Sequence, residues 1–176
     1  MRREVIQELA GKAVVRRATL RDARQICALV KANPEELMVR ALGDIVRFID
    51  RFFVISAGRR LLGCASYSIL PDVGDYSSAT VELRSVAIRS THRGMGLGSH
   101  LVDAVLAHIR SFHNGPIIVL TYTPEFFAKS GFVRISKRDI MHKIYSECVN
   151  CTKHGNPFTC PEVAMAYAAA NGTGRE

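Results

Sequence analysis

The sequence predicts an α/β domain built on a mixed β-sheet with helices on both faces. Three observations predict it. Apolar runs of strand length alternate along the chain with segments of helical period. Hydrophobic residues make up 48% of the 176 residues, which suits one core with little left over for a second. Between a strand pattern and a strongly amphipathic helix pattern lies the glycine-rich string Arg93-Gly94-Met95-Gly96-Leu97-Gly98.

The elements follow in order. Ala13 to Ala18 reads as a first strand. Thr19 then caps a helix, with Asp22 three residues on in capping-box spacing and Ile26, Cys27 and Val30 on one face. Asn33-Pro34 breaks it, and a second helical stretch runs from about Leu42 to Asp50. Phe52 to Ser56 is a buried-type strand, and after the turn Gly58-Arg59-Arg60 the chain returns as a hairpin partner from Leu61 to Leu70. A polar loop spans Pro71 to Ser78, and Thr80 to Ile88 is the next strand. The helix after the glycines runs from Leu97 to about Phe112, with Leu101, Val102, Val105, Leu106 and Ile109 on its apolar face. Ile117 to Thr121 is a continuous apolar strand, Pro124 to Lys129 a short helix, and Gly131-Phe132 opens the last clear strand. The order is β-α-α-β-β-β-α-β-α-β over residues 1–145, and residues 146–176 form a cysteine-containing tail whose end, after Asn171, is expected to be disordered.

Composition bounds the function classes. No apolar run approaches the length of a membrane span, and Met1 to Ala10 carries charges where a secretory leader needs an apolar stretch, so a soluble cytoplasmic protein is expected. In that compartment the five cysteines are expected as thiols or metal ligands rather than disulfides. The formal net charge of +8 suits a polyanionic cofactor, an acidic substrate or nucleic acid. The sequence has no Lys/Arg run interleaved with aromatics, which disfavours nucleic acid.

The glycine-rich string draws its meaning from its place. A helix start exposes unpaired backbone N–H groups and the positive end of the helix dipole, and glycines let a pyrophosphate approach them. A ligand-free turn is the plain alternative. A dinucleotide fold would place the string after the first strand of a βαβ unit, with an acid about twenty residues on, and neither condition is met. A P-loop needs a lysine where Ser99 follows Gly98. A coenzyme A cradle is left, made by Arg93, Gly94, Met95, Gly96, Leu97, Gly98 and Ser99, with Arg93 adding charge at the rim.

The string from Val86 to Leu106, VAIRSTHRGMGLGSHLVDAVL, closely resembles the acetyl-CoA motif of the GNAT superfamily, and Glu125 to Phe132, EFFAKSGF, resembles that family's short helix before its sixth strand. The resemblance covers about Val14 to Ile135, with the two motifs in the family's order. The resemblance implies the GNAT fold, acetyl-CoA as cosubstrate, an N-acetyltransferase activity and, since such proteins are often dimers, room for a homodimer. It implies that strands Thr80–Ile88 and Ile117–Thr121 splay apart, that Val86 and Ile88 line the cofactor, and that the Val86 N–H meets the acetyl oxyanion.

Acetyl transfer to an amine needs a base, an oxyanion donor and a proton or charge for the leaving thiolate. Glu82 matches the glutamate that often takes the proton through a water in this family; the alternative is an exposed strand glutamate paired with a lysine or arginine. Strand alternation puts Glu82, Arg84 and Val86 on one face and Leu83, Ser85 and Ala87 on the other. Many members carry a tyrosine acid where this chain has Phe127, which cannot donate and is left as a cofactor contact or a core ring.

The strings ELRSVAI from Glu82, LMVR ending at Arg40 and VLT ending at Thr121 are similar to the amino-acid N-acetyltransferases that make N-acetylglutamate at the start of arginine biosynthesis, in their short stand-alone form. The resemblance implies an acceptor site touching Arg40, Arg84, Leu120 and Thr121. Two arginines suit the two carboxylates of glutamate, each in a bidentate fork. Other amines, a polyamine or a protein lysine, and a non-catalytic acetyl-CoA-binding module remain open. Finally, Cys148-x-x-Cys151 with Cys160 and His154 offers the ligand types of a structural zinc site, although the spacing to Cys160 fits no standard finger; three plain thiols are the alternative.

Overall fold

Capping and strand pairing begin where the sequence places them. The computed structural model describes residues 12–70 and 79–167. The expected loop at 71–78, the charged first ten residues and the tail after Asn171 lie outside the described residues. The strands are β1 (Val14–Arg17), β2 (Phe52–Ala57), β3 (Arg60–Leu70), β4 (Thr80–Ile88), β5 (Ile117–Thr121), β6 (Phe132–Arg134) and β7 (Val163–Tyr167). The helices are α1 (Ala23–Lys31), α2 (Leu42–Arg47), α3 (Leu97–Arg110), α4 (Pro124–Ala128) and α5 (Met141–Ser146). Among the described residues the sheet order is β1-β2-β3-β4-β5-β7-β6, with β4 and β5 parallel and the other recorded pairs antiparallel. The expected mixed α/β architecture is therefore present.

The chain divides into two compact units, and β3 and β4 each continue from one into the other. The first unit takes residues up to Ser68 together with Leu83–Phe112. Here the Thr19 N–H and hydroxyl both bond the Asp22 carboxylate, at 2.8 and 3.0 Å, and the Asp22 N–H returns to the Thr19 carbonyl at 2.9 Å. That capping box sets a single 3-10 turn, Leu20–Asp22, from which α1 runs. The inner face of α1, with Ile26, Cys27, Leu29 and Val30, packs with Ile45, Phe52, Val54 and Leu61. The second helix is shorter than expected, because Phe48 leaves helical geometry (φ −116°, ψ 24°) and the chain continues as a 3-10 turn, Ile49–Arg51. The predicted apolar face of α3 is buried as expected, with Leu97, Leu101, Val102, Val105, Leu106 and Ile109 at most 5% exposed. Each such side chain contributes roughly 1.5–3 kcal/mol.

The second unit takes Ile69–Glu82 and the chain from His113 onward. Its parallel ladder pairs Val81 with Ile117 and Glu82 with Ile118. A core cluster of Leu70, Ile118, Ile140 and Ala164 lies in this unit. The sequence reading stops its strands at the one opened by Phe132 and leaves Val163–Tyr167 in an appendage. In the structure that segment is β7, hydrogen-bonded to β5 on one side and β6 on the other. The helix α5 is likewise additional to the expected order.

Candidate functional site

The glycine-rich loop belongs to the first unit. A short 3-10 turn, Ser90–His92, leads out of β4, and the chain then crosses Gly94 and Gly96, both at φ +75°. That left-handed geometry is where glycine is needed, and a Cβ added at either position meets nothing within 4 Å. Gly96 is the N-cap of α3, and its carbonyl receives the His100 N–H at 3.2 Å. The first-turn N–H groups of Leu97, Gly98 and Ser99 have no acceptor within the helix. Open space, glycine geometry and helix-start donors together fit a pyrophosphate. Met95 and Ser99 are half-buried beside this turn, while Leu97 points into the core.

Arg93, expected as a charge at the rim, is engaged by neighbouring side chains. Its guanidinium forks onto Glu36, with both nitrogens at 3.1 Å from the carboxylate, and gives a further bond to Asn33. The pair is solvent-exposed on both sides, so it is worth little energetically. His92, just before it, is fully buried, with burial and the nearby Arg60 and Arg89 lowering its pKa below the ordinary histidine value.

The strand β4 departs from simple alternation. Thr80 to Leu83 are all buried, as a strand covered on both faces requires, so Glu82 and Leu83 do not separate into an exposed and a buried face. Ser85 then takes φ +52°, a left-handed conformation costing a non-glycine residue about 1–2 kcal/mol, and the regular pleat is interrupted there. Side chains of β3 meet the carbonyls at this point: Ser66 Oγ donates to Arg84 O at 3.4 Å, and Cys64 Sγ to Ser85 O at 3.6 Å. Beyond the irregularity, Val86 and Ile88 are half-buried. Arg40 and Arg84, also in the first unit, are half-buried rather than fully solvated. The Arg40 carbonyl accepts the Cys27 thiol at 3.8 Å.

The second unit holds Glu82. Its side chain is 6% exposed and accepts from Lys143 Nζ at 2.7 Å; Lys143, 5% exposed, also donates to Glu147 at 2.5 Å. A lysine partner is one of the two readings the sequence leaves open for Glu82; in the structure the pair is buried, not exposed. Lys143 itself was missed: it lies 61 residues away and sits on a helix absent from the expected order. A fourth group belongs here. Glu162 has its carboxyl pushed above the ordinary carboxylate range, chiefly by burial and then by the charge of Glu82.

The remaining expected residues of this unit divide clearly. Thr121 is buried and its hydroxyl accepts from the Thr123 N–H at 2.9 Å. Leu120 packs against the cluster of Leu70 and Ile118. Phe127 is 4% exposed and makes edge contacts with Phe126 and Phe132, so its ring is a core group. The zinc expectation finds no support. Among the described residues no group of three or more His, Cys, Asp or Glu side chains is arranged to hold a metal ion. His154 bonds the Tyr122 hydroxyl at 2.7 Å, and the Cys160 thiol faces Glu162 at 3.7 Å. No described helix is long and apolar enough to cross a membrane.

Comparison with known proteins identifies the family of the fold. The profile of the Acetyltransferase (GNAT) family matches residues 18–132. An uncharacterized N-acetyltransferase, CT2212 of Chlorobaculum tepidum, is 29% identical over 89% of this chain and 96% of its own. An amino-acid acetyltransferase of Mycobacterium tuberculosis is 28% identical over 77% of each chain. Among solved structures, that of Rv2747 from Mycobacterium tuberculosis in complex with CoA and NLQ superposes with a TM-score of 0.72 at 25% identity, covering 89% of this chain and 99% of the other.

Proposed function

The chain belongs to the acetyltransferase (GNAT) family and is an acetyl-CoA-dependent N-acetyltransferase; from that premise we propose that its acceptor is the α-amino group of an amino acid, L-glutamate first. The observation that carries the proposal is the similarity to an amino-acid acetyltransferase over 77% of both chains. The two half-buried arginines, Arg40 and Arg84, support it, since guanidinium forks suit the two carboxylates of glutamate. On the same reading the reaction opens arginine biosynthesis in the cytoplasm.

In this proposal the backbone from Gly94 to Ser99 holds the pyrophosphate and Val86 and Ile88 flank the pantetheine arm. The Val86 N–H donates to the acetyl oxygen as negative charge develops on it. The acceptor ammonium must lose a proton before its lone pair can attack, and Glu82 takes that proton through a water. Lys143 holds the Glu82 carboxylate in place at 2.7 Å. Phe127 supplies no proton, so the leaving thiolate takes one from solvent.

Release of coenzyme A from acetyl-CoA, measured with each of the twenty amino acids, tests the proposal. Turnover should be confined to glutamate or to glutamate and a close relative. Arg40→Ala should raise KM for that acceptor at least tenfold while leaving KM for acetyl-CoA unchanged, and Glu82→Gln should lower kcat by about 10²–10⁴-fold. Tight acetyl-CoA binding without turnover on any amino acid would reject it.

A further inference from the structure

Five cysteines divide into two kinds. Cys27 and Cys64 are buried, out of reach of an exchanging disulfide, and burial pushes the Cys64 thiol up to about 12. Cys148, Cys151 and Cys160 are only half-buried. Two of these three share one turn. The Cys151 N–H bonds the Cys148 carbonyl at 3.1 Å, closing a 3-10 turn over Cys148–Asn150. In such a turn side chains three apart eclipse, so Cys148 and Cys151 project from the same face. The backbone separation of a hydrogen-bonded three-residue step lies within the span a disulfide bridges. Cys160 is differently placed: its N–H bonds the Asn156 carbonyl, its thiol faces Glu162, and its carbonyl takes the ammonium of Lys137.

The turn is tied to the buried charge cluster by its first residue. Glu147 precedes Cys148 and caps the turn, with its carbonyl taking the Asn150 N–H at 3.2 Å. Its own N–H bonds the Lys143 carbonyl at 3.1 Å, and its carboxylate takes the Lys143 ammonium. Burial, and then the charges of Glu82, Glu162 and Cys151, push the Cys148 thiol above its ordinary value, with the Lys143 ammonium pulling the other way, so Cys148 lies within the field of the cluster. A bond between the two sulfurs would fix their separation at about 2 Å, and that constraint falls one residue from the carboxylate holding Lys143.

We propose that Cys148 and Cys151 are a reversible thiol–disulfide pair that exchanges with small-molecule disulfides, and that closing the pair withdraws Glu147 from Lys143. The chemistry is ordinary exchange. One cysteine thiolate attacks a sulfur of a disulfide such as oxidised glutathione, forming a mixed disulfide and expelling one glutathione thiolate. The other cysteine thiolate then attacks the protein sulfur of that mixed disulfide, forms the Cys148–Cys151 bond and expels the second. The protein gives up two protons and two electrons, and one glutathione disulfide becomes two glutathione thiols. The loop closed is too short for the bond to serve chiefly as a staple, since disulfide stabilisation grows with loop length. On the reading of Glu82 given above, the pair then bears on acetyl transfer, but the proposal is tested without it.

The full chain is equilibrated with oxidised glutathione or with dithiothreitol, then mapped by peptide mass spectrometry and labelled briefly with an amine-acetylating reagent. The expected result is a Cys148–Cys151 peptide lighter by two hydrogens after oxidation, restored by dithiothreitol. Labelling of Lys143 should quicken at least fivefold in the oxidised protein, with the exposed lysines unchanged. Cys148→Ser and Cys151→Ser should abolish both effects, and Cys160→Ser should keep them. Mixed glutathione disulfides alone, a pair involving Cys160, or a closed pair with unchanged Lys143 labelling would each overturn the proposal.

Discussion

Glu82 and Lys143 stand 61 residues apart in sequence and 2.7 Å apart in space. Glu82 was legible from its place on the strand leading into the glycine loop, but a single sequence holds no signal that couples two distant charges. Asp22 was legible in full, because a capping box is a local device whose partners lie within three residues. Its carboxyl is held at about 2, first by the Arg16 guanidinium, which forks onto it at 2.8 Å, and then by the Thr19 N–H and hydroxyl. A depressed carboxyl contributes stability that is present above its unfolded value near 3.8 and is lost as pH falls through 2. Allowing for solvent around Arg16, the contribution is about 1–2 kcal/mol. Asp22→Asn should therefore be less stable than the parent at pH 7, and the gap in denaturant unfolding should shrink between pH 4 and pH 2. An equal gap at both ends of that range would show that the ion pair and cap do not carry the difference.

At the scale of elements, β4 and β5 appear with the bounds read from the sequence, and β5 is a mostly β-branched run closed off by Gly115-Pro116 before it and Pro124 after it. What the pattern could not carry is the left-handed Ser85 inside β4, because serine is no marker of positive φ. The same region explains Gly63 on β3. A Cβ there would lie 2.8 Å from the Ala87 carbonyl oxygen, 2.3 Å from the Ile88 side chain and 2.9 Å from Ile55. The backbone oxygen cannot swing aside as a side chain can. Gly63→Ala should cost about 1–3 kcal/mol and lower Tm, and calorimetry on the variant would read it. An unchanged Tm would mean that β3 and β4 yield at this point and that the glycine is incidental.

For the whole molecule, the sequence places a boundary after Tyr145 and makes the rest a tail. The segment Val163–Tyr167 escaped notice because it is short, includes two alanines of low strand propensity and follows a cysteine-rich stretch without periodicity. In the fold it supplies partners to Ile118–Thr121 of β5 and to Phe132–Arg134 of β6. A chain ended after Tyr145 would also lose Glu147 from the Lys143 cluster. Such a truncation should show no cooperative melting transition by circular dichroism, whereas a transition matching the parent's would restore the boundary. The placement of β7 also bears on how the protein is born. A ribosome delivers β5 and β6 before the strand that must lie between them, so the two cannot be zipped together in the order of their synthesis. At ordinary elongation speeds the interval between Arg134 and Tyr167 is roughly 2–7 s, far longer than helices and hairpins take to form. Throughout it the nascent chain carries an open strand edge, the kind of surface that holding chaperones shield and that neighbouring chains on a polysome can capture.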